Sequence, residues 1–430
     1  MKASAKSFVA ATFFLAACAA TNYTLFYETA ERFYAAGNYE KAIEYYLKAV
    51  SVSEKHPEAY HALAMSYYQL GGMEDAILAF EKTLEKDSLY TSAYEVLASI
   101  FIELGRPDTA ILLCQKAIQI DSEYVMAYTT MGVAMLRRGQ VSSAERTLRH
   151  AIALAKTLQA RFRLQNLLQT IDYGGLDLDQ ADAYNALGDV YSSLGRHEDA
   201  LQALDNAIRL VHDWPIPWLK KAGEYDSLRR YQAAEIAYQR AIDIDPRDAE
   251  GYRGLSRVYL ELGKEDDAIE KLREAIRADS TDPESYLMLA DLYKARENYR
   301  RTMEAYSGAI QNAPDDTVAY MRAGRLLLKI GVYDRALSLF EEAIRLAPES
   351  PEAYDGMGQA YVGKGMNAEA EQAFKNAIGL DTVYALPLRH LGHLCLHEGK
   401  EEEAMNYLRH AAVLGDRPSQ SFLRDRGLVW

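Results

Sequence analysis

An aromatic residue returns every 34 positions along much of the chain, at Tyr184, Trp218, Tyr252, Tyr286, Tyr320 and Tyr354. Tyrosine makes up only 31 of the 430 residues, so composition does not account for the recurrence. A fixed period of this length restricts the fold more than any single motif. Each period holds one small supersecondary unit, which has no core of its own until copies stack. A chain of this length would otherwise suggest two or three globules; the period points instead to one elongated array.

The unit from Pro351 to Tyr384 shows what is repeated. Tyr354, Met357, Gly358 and Tyr361 fall on one face of a short helix, Gly365 breaks it, and Ala370, Phe374 and Ala377 place small, large and small side chains along a second helix. Both helices are too short to be stable alone, so each must bury its apolar stripe against neighbours. Earlier copies run Tyr60, Leu63, Ala64, Tyr67, Gly71, Ala76, Phe80, then Tyr94, Leu97, Ala98, Phe101, Gly105, Ala110, Cys114, Ala117, then Tyr128, Met131, Gly132, Met135, Gly139, Ala144, Leu148, Ala151; a weaker first copy starts at Tyr23. After Tyr128 the next tyrosine in phase is Tyr184, 56 residues on rather than 34, a surplus of 22. The inserted stretch is 159–180. Leu154, Leu158, Phe162, Leu164, Leu168 and Ile171 keep helical spacing, so the fourth unit's second helix is expected to run on, to end at Gly174-Gly175, and to be followed by a helix capped by Asp179. Lys156, Arg161 and Arg163 make this segment either a basic amphipathic surface or, the favoured reading, a strut packed on the stack. One later unit departs from the pattern, with Glu297 at the turn glycine and Thr302 at the small alanine, and looser packing is expected there.

This spacing resembles the tetratricopeptide repeat, and the resemblance covers about nine-tenths of the chain. It implies an all-α, right-handed superhelical solenoid of about eleven helix-turn-helix units with a C-terminal capping helix. The expected layout is a signal and modified cysteine over 1–18, units one to four over 23–158, the insertion over 159–180, units five to eleven over 181–416 and the cap over 417–430. In the cap, Phe422 is expected to cover the open end while Arg417, Arg424 and Arg426 meet water. In this family the first helices line a concave side whose ligands touch residues two, five, six, nine, twelve and thirteen of each unit. Those positions include Tyr27, Tyr34, Met65, Tyr68, Ile102, Met126, Val133 and Leu136 early on, and Arg253, Arg257, Lys294, Arg322, Arg325, Lys329, Arg389, His390, His393 and His397 later. The partner-groove candidates are Met65, Tyr68, Arg253, Arg257, Arg322, Arg325, Arg389 and His393. A basic stripe suits an acidic peptide or C-terminus, unless Glu250, Glu284 and Asp291 on neighbouring helices neutralise it. The carboxylate clamp of chaperone-binding relatives, lysine at five with asparagine at nine, occurs in no unit, and neither does an asparagine ladder.

Catalytic chemistry is not legible. No nucleophile with a base, metal cluster or phosphate-cradling loop stands at a recognisable spacing, so no cofactor and no small-molecule substrate is expected. Asp177, Asp179, Asp243 and Asp245 are read as turn and cap residues. His390, His393 and His397 share one helix face, which leaves a metal-binding or metal-dependent enzyme as an alternative; a polar groove stripe sensitive to mildly acidic pH is favoured. Cys114 and Cys395 sit at core positions as free thiols. The formal charge of −14 argues against a nucleic-acid partner.

The N-terminus lies outside the repeat. Lys2 and Lys6 precede an apolar run from Phe8 to Leu15, a secretory-signal pattern too short to span a bilayer. Leu15-Ala16-Ala17-Cys18 resembles the lipobox of bacterial lipoproteins, which implies cleavage before Cys18 and its acylation, and Ala19 after it implies the outer membrane, facing the periplasm. The resulting expectation is a non-enzymatic scaffold tethered to the membrane through lipid on Cys18, pilotin-like or an adaptor for cell-wall enzymes, holding an extended or helical protein segment in its groove. A soluble periplasmic protein without lipid is the alternative.

Overall fold

The computed structural model describes residues 22–165 and 174–430, and the signal and Cys18 fall outside them. All regular structure among the described residues is helical. The chain divides into two compact units, one ending at Leu228 and the other starting at Arg229. The N-terminal unit holds α1 (22–35), α2 (Tyr39–Val52), α3 (Pro57–Gln69), α4 (Met73–Lys86), α5 (Thr91–Glu103), α6 (Pro107–Ile120), α7 (Val125–Arg137), α8 (Val141–Gln165), α9 (Gly174–Ser193), α10 (His197–Leu210) and α11 (Pro215–Ser227). The C-terminal unit holds α12 (Tyr231–Ile244), α13 (Ala249–Glu261), α14 (Glu265–Ala278), α15 (Pro283–Ala295), α16 (Tyr299–Asn312), α17 (Thr317–Lys329), α18 (Tyr333–Leu346), α19 (Pro351–Lys364), α20 (Asn367–Leu380), α21 (Ala385–His397), α22 (Glu401–Val413) and α23 (Arg417–Asp425). Within each unit a helix packs on its successor to form a helix-turn-helix pair, and pairs stack on pairs.

The α19/α20 pair shows why the sequence does this. Ser350 caps α19 by accepting the Ala353 N–H, Pro351 occupies the first turn where its missing amide costs nothing, and Gly365 ends the helix at φ 74°. Gly358 and Phe374 then fix the approach of the two helices. A Cβ on Gly358 would lie 2.5 Å from the Phe374 ring, so only glycine lets the fully buried ring lie against the α19 backbone. Burying that ring contributes about 2 to 3 kcal/mol to a pair of helices that would not persist alone.

The turns show where the pattern is forced. The left-handed turn position adopted by Gly365 and its counterparts is occupied at Glu297 by a residue with a Cβ, held at φ 55°. Thr302, expected to loosen the same unit, is instead fully buried, its hydroxyl donating to the Asn298 carbonyl at 2.9 Å. A helix's own carbonyl satisfies the hydroxyl, so threonine fits where alanine stands elsewhere.

The insertion differs from expectation at its far end. Helix α8 is described as far as Gln165; Gly174 and Gly175, expected to end it, are helical residues of α9, and Asp179 lies inside α9 rather than capping it. Asp177 stands in the first turn of α9, where a carboxylate offsets the helix dipole, so the helix starts before the expected cap. Leu154 and Leu158 pack into the core shared by α7 to α10. Lys156 donates to the Tyr184 hydroxyl at 2.9 Å and Arg161 to Glu123 at 2.7 Å, so both cations are committed within the stack, while the side chain of Arg163 falls outside the described residues.

At the C-terminus, Leu423 rather than Phe422 is the fully buried hydrophobic residue of α23, and Phe422 lies partly buried beside it. Arg417, Arg424 and Arg426 are exposed. Cys114 and Cys395 are free and buried.

Candidate functional site

The first helix of each pair presents its polar positions to the first helix of the next pair, and these residues bond across the stack. In the N-terminal unit, Thr130 on α7 donates to Glu95 on α5 at 2.6 Å, Tyr68 on α3 donates to Glu103 on α5, and Lys220 on α11 reaches Asp189 on α9 at 2.8 Å. Met65 packs beside Tyr68 against the core of α2 to α5. The aromatic character expected of this face is present, but carboxylates are threaded through it. Glu95 is 7% exposed, and burial raises its pKa, opposed by hydrogen bonds from Thr130 and Ser99 and reinforced by Asp179. Asp182 on α9 is pushed up to about 6 by burial and by Asp179 and Glu95, with Lys220 opposing.

In the C-terminal unit the expected basic stripe is largely spoken for. Arg253 Nη1 lies 2.7 Å from both carboxylate oxygens of Asp282 and 3.1 Å from Glu284. Arg322 reaches Asp291 at 2.7 Å, and Arg389 reaches Asp416 at 2.8 Å. Arg257 lies 3.5 Å from the Tyr238 hydroxyl. Arg325 is exposed and forms no ion pair with the described residues.

Two of these pairs share a design. Asp282 is the N-cap of α15, accepting from the Ser285 amide at 3.2 Å and from its hydroxyl; Asp416 is the N-cap of α23, accepting from the Ser419 amide at 2.9 Å and hydroxyl at 2.6 Å. Each aspartate also accepts from the fifth-position arginine of the unit before it. The arginine thus fastens the cap of one helix to the preceding repeat, and the side chains of Asp282 and Asp416 are only 12% and 6% exposed. The signal was present in the sequence as an aspartate followed by serine three residues later, with an arginine at position five one repeat earlier. Opposite charges 31 residues apart, Asp189 with Lys220 and Asp291 with Arg322, are a second such signal.

A pocket of about 800 Å³ opens between α17, α19 and α21. Leu328, Val362 and Leu394 supply apolar wall, and Gln359, Lys364, His390, His393 and His397 supply polar atoms. The three histidines of α21 do share one wall, but in different states. His390 Nδ1 meets Asp355 at 2.7 Å, and because a carboxylate only accepts, that nitrogen carries the proton. Asp355 is 3% exposed and also accepts from Gln359 at 2.9 Å. His393 is exposed on one side and meets the Phe422 ring edge-on at 5.7 Å. Burial lowers its pKa, and the charges of Arg389 and His390 lower it further against the pull of Asp416. Among the described residues no three histidine, cysteine, aspartate or glutamate side chains converge as a metal site, and none of the helices is long and apolar enough to cross a membrane.

Sequence models described as tetratricopeptide repeat or TPR repeat match residues 30–71, 61–125, 181–210, 219–283, 287–351 and 351–384. The chain is 32% identical over 75 residues to the Hsp70-Hsp90 organising protein of Plasmodium falciparum, a match covering 17% of this chain and 30% of that relative. Among solved structures, MamA from Desulfovibrio magneticus RS-1 is 26% identical over 39% of this chain and 94% of its own, with a TM-score of 0.36. Yeast Tom70 is 16% identical over 93% of each chain, with a TM-score of 0.37.

Proposed function

This chain is built of tetratricopeptide repeats, and from that premise we propose that it is a non-enzymatic scaffold that takes an extended or helical segment of a protein partner on its concave side. The observation that carries this reading is the pocket between α17, α19 and α21. Leu328, Gln359, Val362, His390, His393 and His397 in its lining stand at ligand-facing positions of three successive units, and it stays open where most charged groups around it are already paired. A preformed pocket of this size with an apolar wall and a few polar atoms suits a few side chains of a peptide. The chaperone partnership in the Plasmodium relative's name does not transfer readily, since no unit pairs a lysine at position five with an asparagine at nine.

The scaffold acts at the bacterial envelope, held to the outer membrane on its periplasmic side by lipid on Cys18, in a pilotin-like or cell-wall-enzyme adaptor role. Support for this comes from Lys2, Lys6, the apolar run and Leu15-Ala16-Ala17-Cys18. A photo-crosslinking residue at Gln359 should capture a partner that the same residue at Arg345, on the exposed face of α18, does not. Equal capture at both positions would refute the groove reading. Labelled palmitate should enter the wild-type protein and not Cys18→Ala; no incorporation in wild type would favour the unlipidated alternative.

A further inference from the structure

Around the α21 pocket the carboxylates of Asp355, Asp416 and Glu398 are occupied, whereas Lys364 has only an exposed partner and His393 and His397 have no carboxylate partner among the described residues. Asp355 is held by His390 and Gln359, and Asp416 by Arg389 and Ser419. Glu398, at the end of α21, is bound to Lys400 at 2.8 Å. On the other side of the ledger, Lys364 on α19 is tied only to Asp334, which is 84% exposed, and a surface pair of that kind holds a lysine weakly. His393 and His397 face the same space, and among the described residues no carboxylate is bonded to either. Arg389 and its partner Asp416 are the charged groups beside His393, Glu398 lies beside His397, and Phe422 closes the α23 side. The pocket lining contains no carboxylate, so a carboxylate entering it finds donors in Lys364 and in the imidazoles of His393 and His397, and an aliphatic side chain next to it meets Leu328, Val362 and Leu394.

We infer that the pocket takes an apolar segment carrying a carboxylate, an acidic side chain or a free C-terminus, set against His393, His397 and Lys364, and that it holds this segment more tightly as pH falls from 7.5 to 5.5. The inference rests on the groove reading above. Its direction follows from linkage. Free His393 is neutral at pH 7.5 because burial and the neighbouring Arg389 guanidinium hold its pKa down. A bound carboxylate adds the missing counter-charge and raises that pKa, so proton and ligand favour each other's binding. Protonation turns a neutral hydrogen bond into a charge-assisted one, which corresponds to an affinity gain on the order of tenfold.

The test uses the full chain and a fluorescein-labelled pentapeptide alternating leucine and glutamate, with a leucine–glutamine amide of the same length as control, followed by polarisation at pH 5.5 and 7.5. The acidic peptide is expected to bind about tenfold more tightly at pH 5.5, and the control to show no gain. His393→Gln with His397→Gln should flatten the pH profile while the circular dichroism spectrum stays helical; His390 is left intact because it holds Asp355. Retention of the pH gain in that variant, equal binding of both peptides, absence of binding at pH 5.5, or loss of binding on adding EDTA would each overturn the inference. If Gln359 still captures a partner while the peptide results fail, the scaffold reading stands and the carboxylate assignment falls.

Discussion

Arg253 and Asp282 offer the sharpest test of whether the groove arginines hold the stack or hold a ligand. Replacing Arg253 with methionine keeps the apolar stem but leaves a carboxylate, 12% exposed, without its cation. Asp282 would still accept from the Glu284 and Ser285 amides and the Ser285 hydroxyl, so the loss should be about 2 kcal/mol. Asp282→Ala removes the cap of α15, about 1 kcal/mol, and leaves Arg253, 17% exposed, with only the exposed Glu284 as partner, for about 3 kcal/mol in all. The double variant has no stranded charge, so it should cost no more than the aspartate change alone, which gives a coupling of about 2 kcal/mol. Because repeats open locally, the readout is native-state hydrogen exchange of the α13 and α15 amides in the full chain rather than one global melt. A coupling below about 0.5 kcal/mol would refute the structural role. Lost partner capture with unchanged protection would reassign Arg253 to the ligand.

Two further perturbations address strain and burial. Glu297→Gly should raise stability by about 1 kcal/mol, because it relieves a left-handed position at φ 55° at little cost to contacts; a lower midpoint in urea would contradict this. Asp182→Asn should stabilise the chain at pH 7.5 and not at pH 4. The folded-state pKa of Asp182 is raised to about 6 by burial and neighbouring acids, so its contribution is complete at pH below the ordinary carboxylate value and is lost as pH rises through 6. After allowance for solvent screening the gain at pH 7.5 is about 1 kcal/mol, and a pH-independent effect in thermal melts would argue against the burial account.

The repeat itself was legible because stacking uses the same residues every time. Tyr354, Gly358, Phe374 and Gly365 stand at fixed offsets, and the structure uses them as those offsets imply: a ring on a glycine, a glycine in the turn. Local physics alone settles such features, since capping, turn conformation and the small-on-large contact lie within one pair. Less legible was the helical state of Gly174 and Gly175, because glycine is read as a breaker unless a nearby carboxylate such as Asp177 favours the helix.

The groove belonged to another level. From the sequence alone, Arg253, Arg322 and Arg389 form a basic stripe and His390, His393 and His397 a second one; which members remain available depends on what the adjacent repeat places 27 to 35 residues away. Stacking brings Asp282, Asp291 and Asp416 onto the arginines and Asp355 onto His390, consuming those charges. His393, His397 and Lys364 are left facing the pocket. The sequence by itself determined a repeat, its helices and its core, because those follow from contacts within a pair. Only the tertiary structure decided which groove residues are committed and which are open, because that depends on pairing between side chains of different repeats.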